Sequence, residues 1–461
     1  MVETLTELEE REIELPMAFA PAAATSARAN LYRTIWRWHF YAGIFVAPIL
    51  LVASITGALY VFIHELKPIM YPELMTASSS ATSPRSLDEL VAATRAKYPQ
   101  GTVVTAAQPR MSGLNAEIGV RLPEGFRVAF VDPSTAKVAG LYDEQQSFFG
   151  IVLGLHRRLL AGSTGRLLVE LSASWSIVLL VTGFYLWYPR KLGRTRVPGA
   201  GVWFPRMRAS LNVLLRDWHA VLGFYSLGTA AFILITGLFF TQLFGPGFNW
   251  INKQVHGVAP TIASPPRSSA PAGRQQQSLE QVMVAAERQL VGEGPVRVFY
   301  PAKEEETFRV SRLDWSNPTW KSTAFIDAYS GECVAVTNWD DAAFLQKVRL
   351  SVYPIHVGEI FGMPTKILAL LTCLVLATTS ITGVWMWWRK RPRGTWGMPR
   401  QEQSTRISGM LIGSIVLLGV LLPAMGASLI MILTGEAVWR RVRRQPLAHC
   451  DAVHGRSFRE R

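Results

Sequence analysis

The octapeptide WHFYAGIF at 38–45 returns as WHAVLGFY at 218–225. In both places a Thr-Gly pair follows the histidine by 17 residues, at Thr56-Gly57 and Thr236-Gly237. A second element also recurs. His156 leads through Gly162 and Arg166 to TGFYLWYPRK, and His356 leads through Gly362 and Lys366 to TGVWMWWRK, with 26 residues from His to Thr in both copies. Offsets of 180 and 200 residues thus hold four histidines, four Thr-Gly pairs and two Trp-rich ends in register. Such a chain is expected to fold as a tandem repeat. Four histidines at the ends of apolar segments point to a membrane metallo-centre, with haem the leading reading.

A membrane crossing needs about 20 mostly apolar residues, because a helix rises ~1.5 Å per residue through ~30 Å of hydrocarbon. Four runs meet this requirement, roughly 40–63, 167–188, 219–243 and 366–388, and a fifth, about 407–434, carries Pro423 near its middle. The first run lies too deep and is too long for a cleaved leader, so it is read as a retained anchor following a polar tail at 1–30. Lys and Arg cluster before span one (Arg28, Arg33, Arg37), between spans two and three (Arg190 to Arg216) and after span four (Arg389, Lys390, Arg391, Arg393). These clusters belong on the cytoplasmic side, so the long connections between them face outward. The net charge of +14 is membrane-edge chemistry. No Lys/Arg stripe with interleaved aromatics lies in a soluble segment, and nucleic acid is not an expected partner; the lipid bilayer is. The fifth run brings a conflict, since one further crossing puts VWRRVRRQ outside, against the charge rule. Either that segment re-enters at Pro423 or the basic tail at 435–461 is translocated; twenty-eight residues are short for a hairpin, so five spans are expected.

Each outward connection holds a small module, at 65–145 and 245–345. SLDELVAATRAKYP at 86–99 matches SLEQVMVAAERQL at 278–290, with a Ser N-cap and helical spacing of apolar residues. AFVDPSTAKVAG at 129–140 matches AFIDAYSGECVA at 324–335, each a strand pair broken by a turn. One helix and a small antiparallel sheet per module is the expected layout. A Ser/Pro/Gly-rich linker at 259–277 precedes the second module. Cys333, Cys373 and Cys450 have neither a pairing pattern nor metal-type spacing.

The helix followed by an FxDxxxGxV-type hairpin resembles the PepSY module. The flanking WH…G…TG and HR…G…TGxYLWxPRK elements resemble PepSY-associated transmembrane proteins, bacterial inner-membrane proteins linked to iron uptake, over about residues 31–393. Some members resemble ferric-siderophore reductases with b-type haem. The expected fold is a helical membrane bundle of four core spans plus a fifth, built as a tandem repeat. The resemblance implies that the outward modules are two small α+β PepSY-like periplasmic domains; the acidic N-terminus and fifth hydrophobic segment lie outside the shared pattern.

The repeat makes His39, His219, His156 and His356 the foremost axial-ligand candidates for two b-type haems. Packing of two repeats about a pseudo-twofold axis would bring His39 to face His219 and His156 to face His356. Two imidazoles on opposite sides of one plane are what a low-spin haem needs. His64 is a rival on the outer side, able to pair with His156 or His356, and His256 lacks a counterpart. His449 and His454 lie in the polar tail. Arg166 and Lys366 recur at one position and suit haem propionates or plain snorkelling. Trp175, Trp187, Trp385, Trp387 and Trp388 suit either the haem slots or an interfacial belt. Glu170, the only acid within the first four spans, is a functional candidate by its position. No CxxCH occurs, so covalent c-type attachment is ruled out. No GxGxxG, P-loop, GxSxG or HExxH motif is found.

With no such motif, a self-contained NADPH-flavin module is not expected, and the expected electron donor is a membrane quinol or a separate cytoplasmic reductant. The acceptor that the resemblance implies is a periplasmic ferric chelate such as a ferric siderophore. The first reading is a dihaem oxidoreductase. Behind it stand a non-redox PepSY regulator of a peptidase and a small-solute or iron permease component.

Overall fold

The computed structural model describes residues 22–78, 84–188, 199–257, 266–269, 275–313, 316–399 and 408–444. The polar N-terminal tail, much of the first basic loop, most of the Ser/Pro-rich linker and His449, Cys450 and His454 lie outside these residues.

Long apolar stretches form the bundle. Helix α1 (Ala22–Tyr60), α6 (Gly162–Trp187) and α12 (Met363–Lys390) each contain a segment long and apolar enough to cross a membrane. A fourth crossing forms if α7 (Leu211–Tyr225) and α8 (Leu227–Leu238) count as one span. The expected third span is thus bent, by 68° at Ser226. Helix α1 packs along α6 on one side and α12 on the other, and α12 packs in turn on α7. Each histidine-bearing approach to spans two and four is a short helix, α5 (Phe148–Arg158) and α11 (Phe344–His356). Together these elements make a multi-pass helical membrane protein.

At one end of the bundle the connections build a sheet. Helix α4 (Leu87–Lys97) begins at Ser86, whose Oγ accepts the Glu89 N–H while the Glu89 carboxylate accepts the Ser86 N–H. Helix α10 (Leu279–Glu287) begins the same way at Ser278 and Gln281. This reciprocal bonding is the capping-box logic that both Ser-x-x-Glu/Gln sequences carry. The strands are β1 (Thr102–Ala107), β2 (Ala116–Leu122), β3 (Gly125–Val131) and β4 (Val138–Tyr142), then β5 (Val296–Phe299), β6 (Phe308–Arg312), β7 (Thr323–Ile326) and β8 (Cys333–Thr337).

Two separate small sheets were expected, but the strands form one antiparallel sheet in the order β4-β3-β2-β1-β5-β6-β7-β8. The seam pairs Thr105 with Phe299, Ala106 with Val298 and Ala107 with Arg297. An unpaired edge strand exposes a row of open hydrogen-bonding groups, and here two such edges satisfy each other. One core follows. Leu90 and Val91 of α4 and Leu279 and Val282 of α10 pack on Ile118, Val131, Val298, Val310 and Ile326. Asp88 of α4 also caps α10, accepting the Leu279 and Glu280 N–H groups at 2.9 and 3.2 Å.

The fifth hydrophobic run does not make the single continuous span expected of it. It breaks at Leu422 into α13 (Gly409–Leu421) and α14 (Pro423–Arg444). Pro423 cannot donate the N–H that would carry the helix through. The chain then reverses. A Cβ placed on Gly426 would lie 2.3 Å from the Gly419 carbonyl oxygen, whereas seven residues of straight helix span about 10 Å. The turn lodges against the bundle, where Leu422 and Met425 pack with Leu238, and Ser428 accepts the Trp175 indole N–H at 3.0 Å.

Candidate functional site

Two histidine pairs occupy opposite ends of the bundle. At the end away from the sheet, the His39 and His219 rings lie 6.3 Å apart between centroids, at 87° to one another. At the sheet end, His156 and His356 lie 6.1 Å apart at 55°. The two levels are joined by α1, which carries His39 and, 17 residues on, the Thr56 that contacts His156. That interval is about 25 Å along a helix.

Each imidazole is seated on a Thr-Gly pair of a neighbouring helix. His39 Nδ1 lies 2.9 Å from Thr182 Oγ1. His156 Nδ1 lies 3.2 Å from Thr56 Oγ1 and 2.9 Å from the Ala53 carbonyl. His219 Nδ1 meets Thr382 Oγ1 at 3.2 Å and the Thr379 carbonyl at 3.0 Å. His356 Nδ1 meets Thr236 Oγ1 and the Ile233 carbonyl, both at 3.1 Å. The Thr-Gly pair that follows a histidine on its own segment therefore serves a different histidine.

The hydrogen-bond partners set the tautomer. Thr56, Thr182, Thr236 and Thr382 each give their hydroxyl proton to the carbonyl four residues earlier, at 2.6 to 2.8 Å. A hydroxyl whose proton is spent can only accept, and a carbonyl only accepts. The carbonyls beside His156, His219 and His356 assign the proton of the neutral ring to Nδ1, and Thr182, bonded back to Val178, favours the same tautomer for His39, leaving Nε2 with the lone pair. Fixing one ring nitrogen so that the other can ligate is how proteins orient metal-binding imidazoles.

The glycines make the seat fit. A Cβ on Gly57, Gly183, Gly237 or Gly383 would lie 3.1 to 3.4 Å from the Cε1 of the seated ring. One turn beyond the His219 and His39 positions, a Cβ on Gly223 would meet nothing within 4 Å and one on Gly43 only Leu179 Cδ2 at 4.0 Å. Two metal–imidazole bonds of about 2 Å plus two ring radii span about 6 Å, the separation found in both pairs. Among the described residues no cluster of three His, Cys, Asp or Glu side chains has metal-site geometry. The residues present fit a metal that brings its own equatorial ligands, as haem iron does.

Other candidates are engaged elsewhere. His64 sits 3.5 Å from Glu359 Oε1 rather than against either pair. Burial first, then Arg110 and Lys366, lower its pKa to about 4. Lys366 pairs with Glu65 Oε1 at 2.6 Å and approaches Glu359 at 3.9 Å. Arg166 donates to the Phe240 and Thr241 carbonyls at 2.7 and 3.1 Å. One turn on, the buried Glu170 accepts the Gln242, Leu243 and Phe244 N–H groups at 2.8 to 2.9 Å. Arg166 and Glu170 thus bind the loop from α8 into α9 (Phe244–His256), and Glu170's contacts are those of an anchor. His256 ends α9, exposed. Trp187 stacks on Phe224 at 3.8 Å and donates to the Val202 carbonyl. Trp387 donates to the Trp396 carbonyl, Trp388 lies under Arg391, and Trp385 is exposed.

Sequence reading singled out the histidines but not the threonines as their partners. The signal was present in the two constant His-to-Thr intervals, yet it does not say that the bond crosses between helices.

A comparison with curated proteins returns no match. The family model for the PepSY-associated transmembrane region matches residues 36–390, which encloses both histidine pairs and all eight strands. This chain belongs to the PepSY-associated transmembrane region family.

Proposed function

We propose that the protein is a bacterial inner-membrane dihaem b oxidoreductase that carries electrons across the membrane to a periplasmic ferric chelate, a ferric siderophore by class. In this reading the chain is a tandem repeat and the sheet is a fusion of two PepSY-like periplasmic modules. The observation that carries the reading is the pair of facing imidazole couples, one at each end of the bundle, each at metal-bridging separation.

His39 and His219 would hold one group and His156 and His356 the other. Bound there, haem b supplies reversible one-electron transfer at each level of the membrane. The protein's part is orientation. Thr182, Thr56, Thr382 and Thr236 hold Nδ1–H, so Nε2 needs no proton loss before it ligates. Their glycines bring helix backbone against the ring edge, which fixes each ring's rotation. The apolar spans around the pairs exclude water. A quinol or cytoplasmic reductant is the electron source, and the chelated Fe(III) takes one electron to become Fe(II). Hard oxygen donors grip Fe(II) less tightly, which frees the metal.

The test is single-turnover reduction. The pre-reduced protein in nanodiscs is mixed with a ferric hydroxamate, and Fe(II) is trapped by a chromogenic chelator. Stoichiometric Fe(II) from the wild type and none from His356→Ala supports the reading. Equal Fe(II) from both, or none from either, contradicts it.

A further inference from the structure

We propose that a cavity at the end of α12 farthest from the sheet, lined by Trp388, Arg391, Arg393 and Trp396, is a site for a phosphate-bearing anion, supplied at the membrane edge by an anionic phospholipid headgroup. The cavity measures about 480 Å³, within the range of small-ligand sites. Its wall is built rather than incidental. Thr395 N–H and Oγ1 both donate to the Pro392 carbonyl, and Gly394 takes a φ of +76°, where a side chain would be strained. The turn so formed carries Trp396 back to the helix, where its carbonyl accepts the Trp387 indole N–H at 3.0 Å.

The charge is one-sided. The lining contains two guanidinium groups and no carboxylate. The Arg391 guanidinium carbon lies 3.5 Å from the Trp388 ring centroid, so the cation is held over the ring, and among the described residues no hydrogen bond occupies its guanidinium N–H groups. Arg389, the neighbouring cation, is bound to Asn212 Oδ1 at 3.0 Å and does not line the cavity. Planar, permanently charged guanidinium forks suit phosphate oxygens. The place suits a lipid, since the cavity begins where a membrane-length helix ends and tryptophans flank it.

The test uses the full chain in nanodiscs of phosphatidylcholine doped with phosphatidylglycerol, with retained lipid read by native mass spectrometry. Preferential retention of phosphatidylglycerol, falling about 30-fold in Arg391→Gln/Arg393→Gln, is expected, because each basic side chain near a charged headgroup contributes about fivefold. Arg121→Gln/Arg288→Gln removes the same charge from the exposed surface of the sheet portion, away from the bundle, and should leave retention unchanged. Displacement of the lipid by millimolar inorganic phosphate would keep the anion site but assign it to a soluble phosphate; persistence of the lipid assigns it to the headgroup. Equal retention of both lipids, or the same loss in both double variants, would overturn the proposal.

Discussion

His39 Nδ1 and Thr182 Oγ1 lie 2.9 Å apart, and this is the only hydrogen bond found for that imidazole among the described residues. The other three seated histidines also contact a backbone carbonyl. Removing the hydroxyl should therefore hurt unequally. Thr182→Val is expected to weaken haem retention by the 10- to 100-fold typical of lost second-layer partners. Thr56→Val should cost several-fold less, because Ala53 still accepts the His156 proton. Haem titration of each apoprotein checks the order.

The glycine seats give a graded expectation. Gly237→Ala puts a methyl 3.1 Å from His356 Cε1, so the ring must move by a few tenths of an ångström. Gly237→Val adds branches with nowhere to go, an overpacking cost of about 1–3 kcal/mol. The alanine variant should retain pigment with a shifted spectrum, and the valine variant should lose the sheet-end haem alone. Pigment per chain, read beside circular dichroism of the sheet, distinguishes loss of the seat from loss of the fold.

Glu170→Ala should act on stability and not on pigment. Three N–H groups of one loop would lose their buried acceptor, a loss of about 3 kcal/mol or more. Thermal unfolding in detergent should shift downward while haem per chain stays at the wild-type value. Full stability with lost pigment would instead give this carboxylate a direct role.

The sheet should be acid-sensitive. At the turn after β7, burial alone would raise the Asp327 pKa, but N–H donors from Ser330, Ser269 and Tyr329 outweigh it and lower the value to about 2. Asp132 is lowered too, through Ser134 and Ser78. A group whose folded pKa is depressed contributes stability above its unfolded pKa of about 3.9, and loses it as pH falls through the folded value. Sheet unfolding should thus become easier between about pH 4 and pH 2, and Asp327→Asn should flatten that slope. Fluorescence-monitored urea titrations across this window check it.

Much of this architecture is legible in the sequence, and the exceptions have physical reasons. The Ser86 and Ser278 caps, the Asp132 and Asp327 turns and the long apolar runs all encode structure through neighbours in the chain. The seam between Ala106 and Val298 does not, because nothing local marks which edge strand will meet which. The Thr-Gly seats were visible as a constant spacing, but their crossed use depends on how helices pack. The length of the fifth run favours a single span over the reversal that forms at Leu422. Gly419 and Gly426, which put no side chains between the two helices, let the chain turn within that length. With the reversal, Arg440 and Arg441 return towards the side from which α13 enters, as the charge rule asks.

The proposed function requires a bis-imidazole haem at each end of one bundle. Its most direct test is a reduced-minus-oxidised visible spectrum of the purified full chain, with haem quantified per chain, for the wild type, His39→Ala and His356→Ala. Two low-spin b-type haems per wild-type chain, and one of spectrally distinct character in each variant, are expected. A stable wild-type protein that stays colourless after haem reconstitution, or variants that keep both haems, would contradict it.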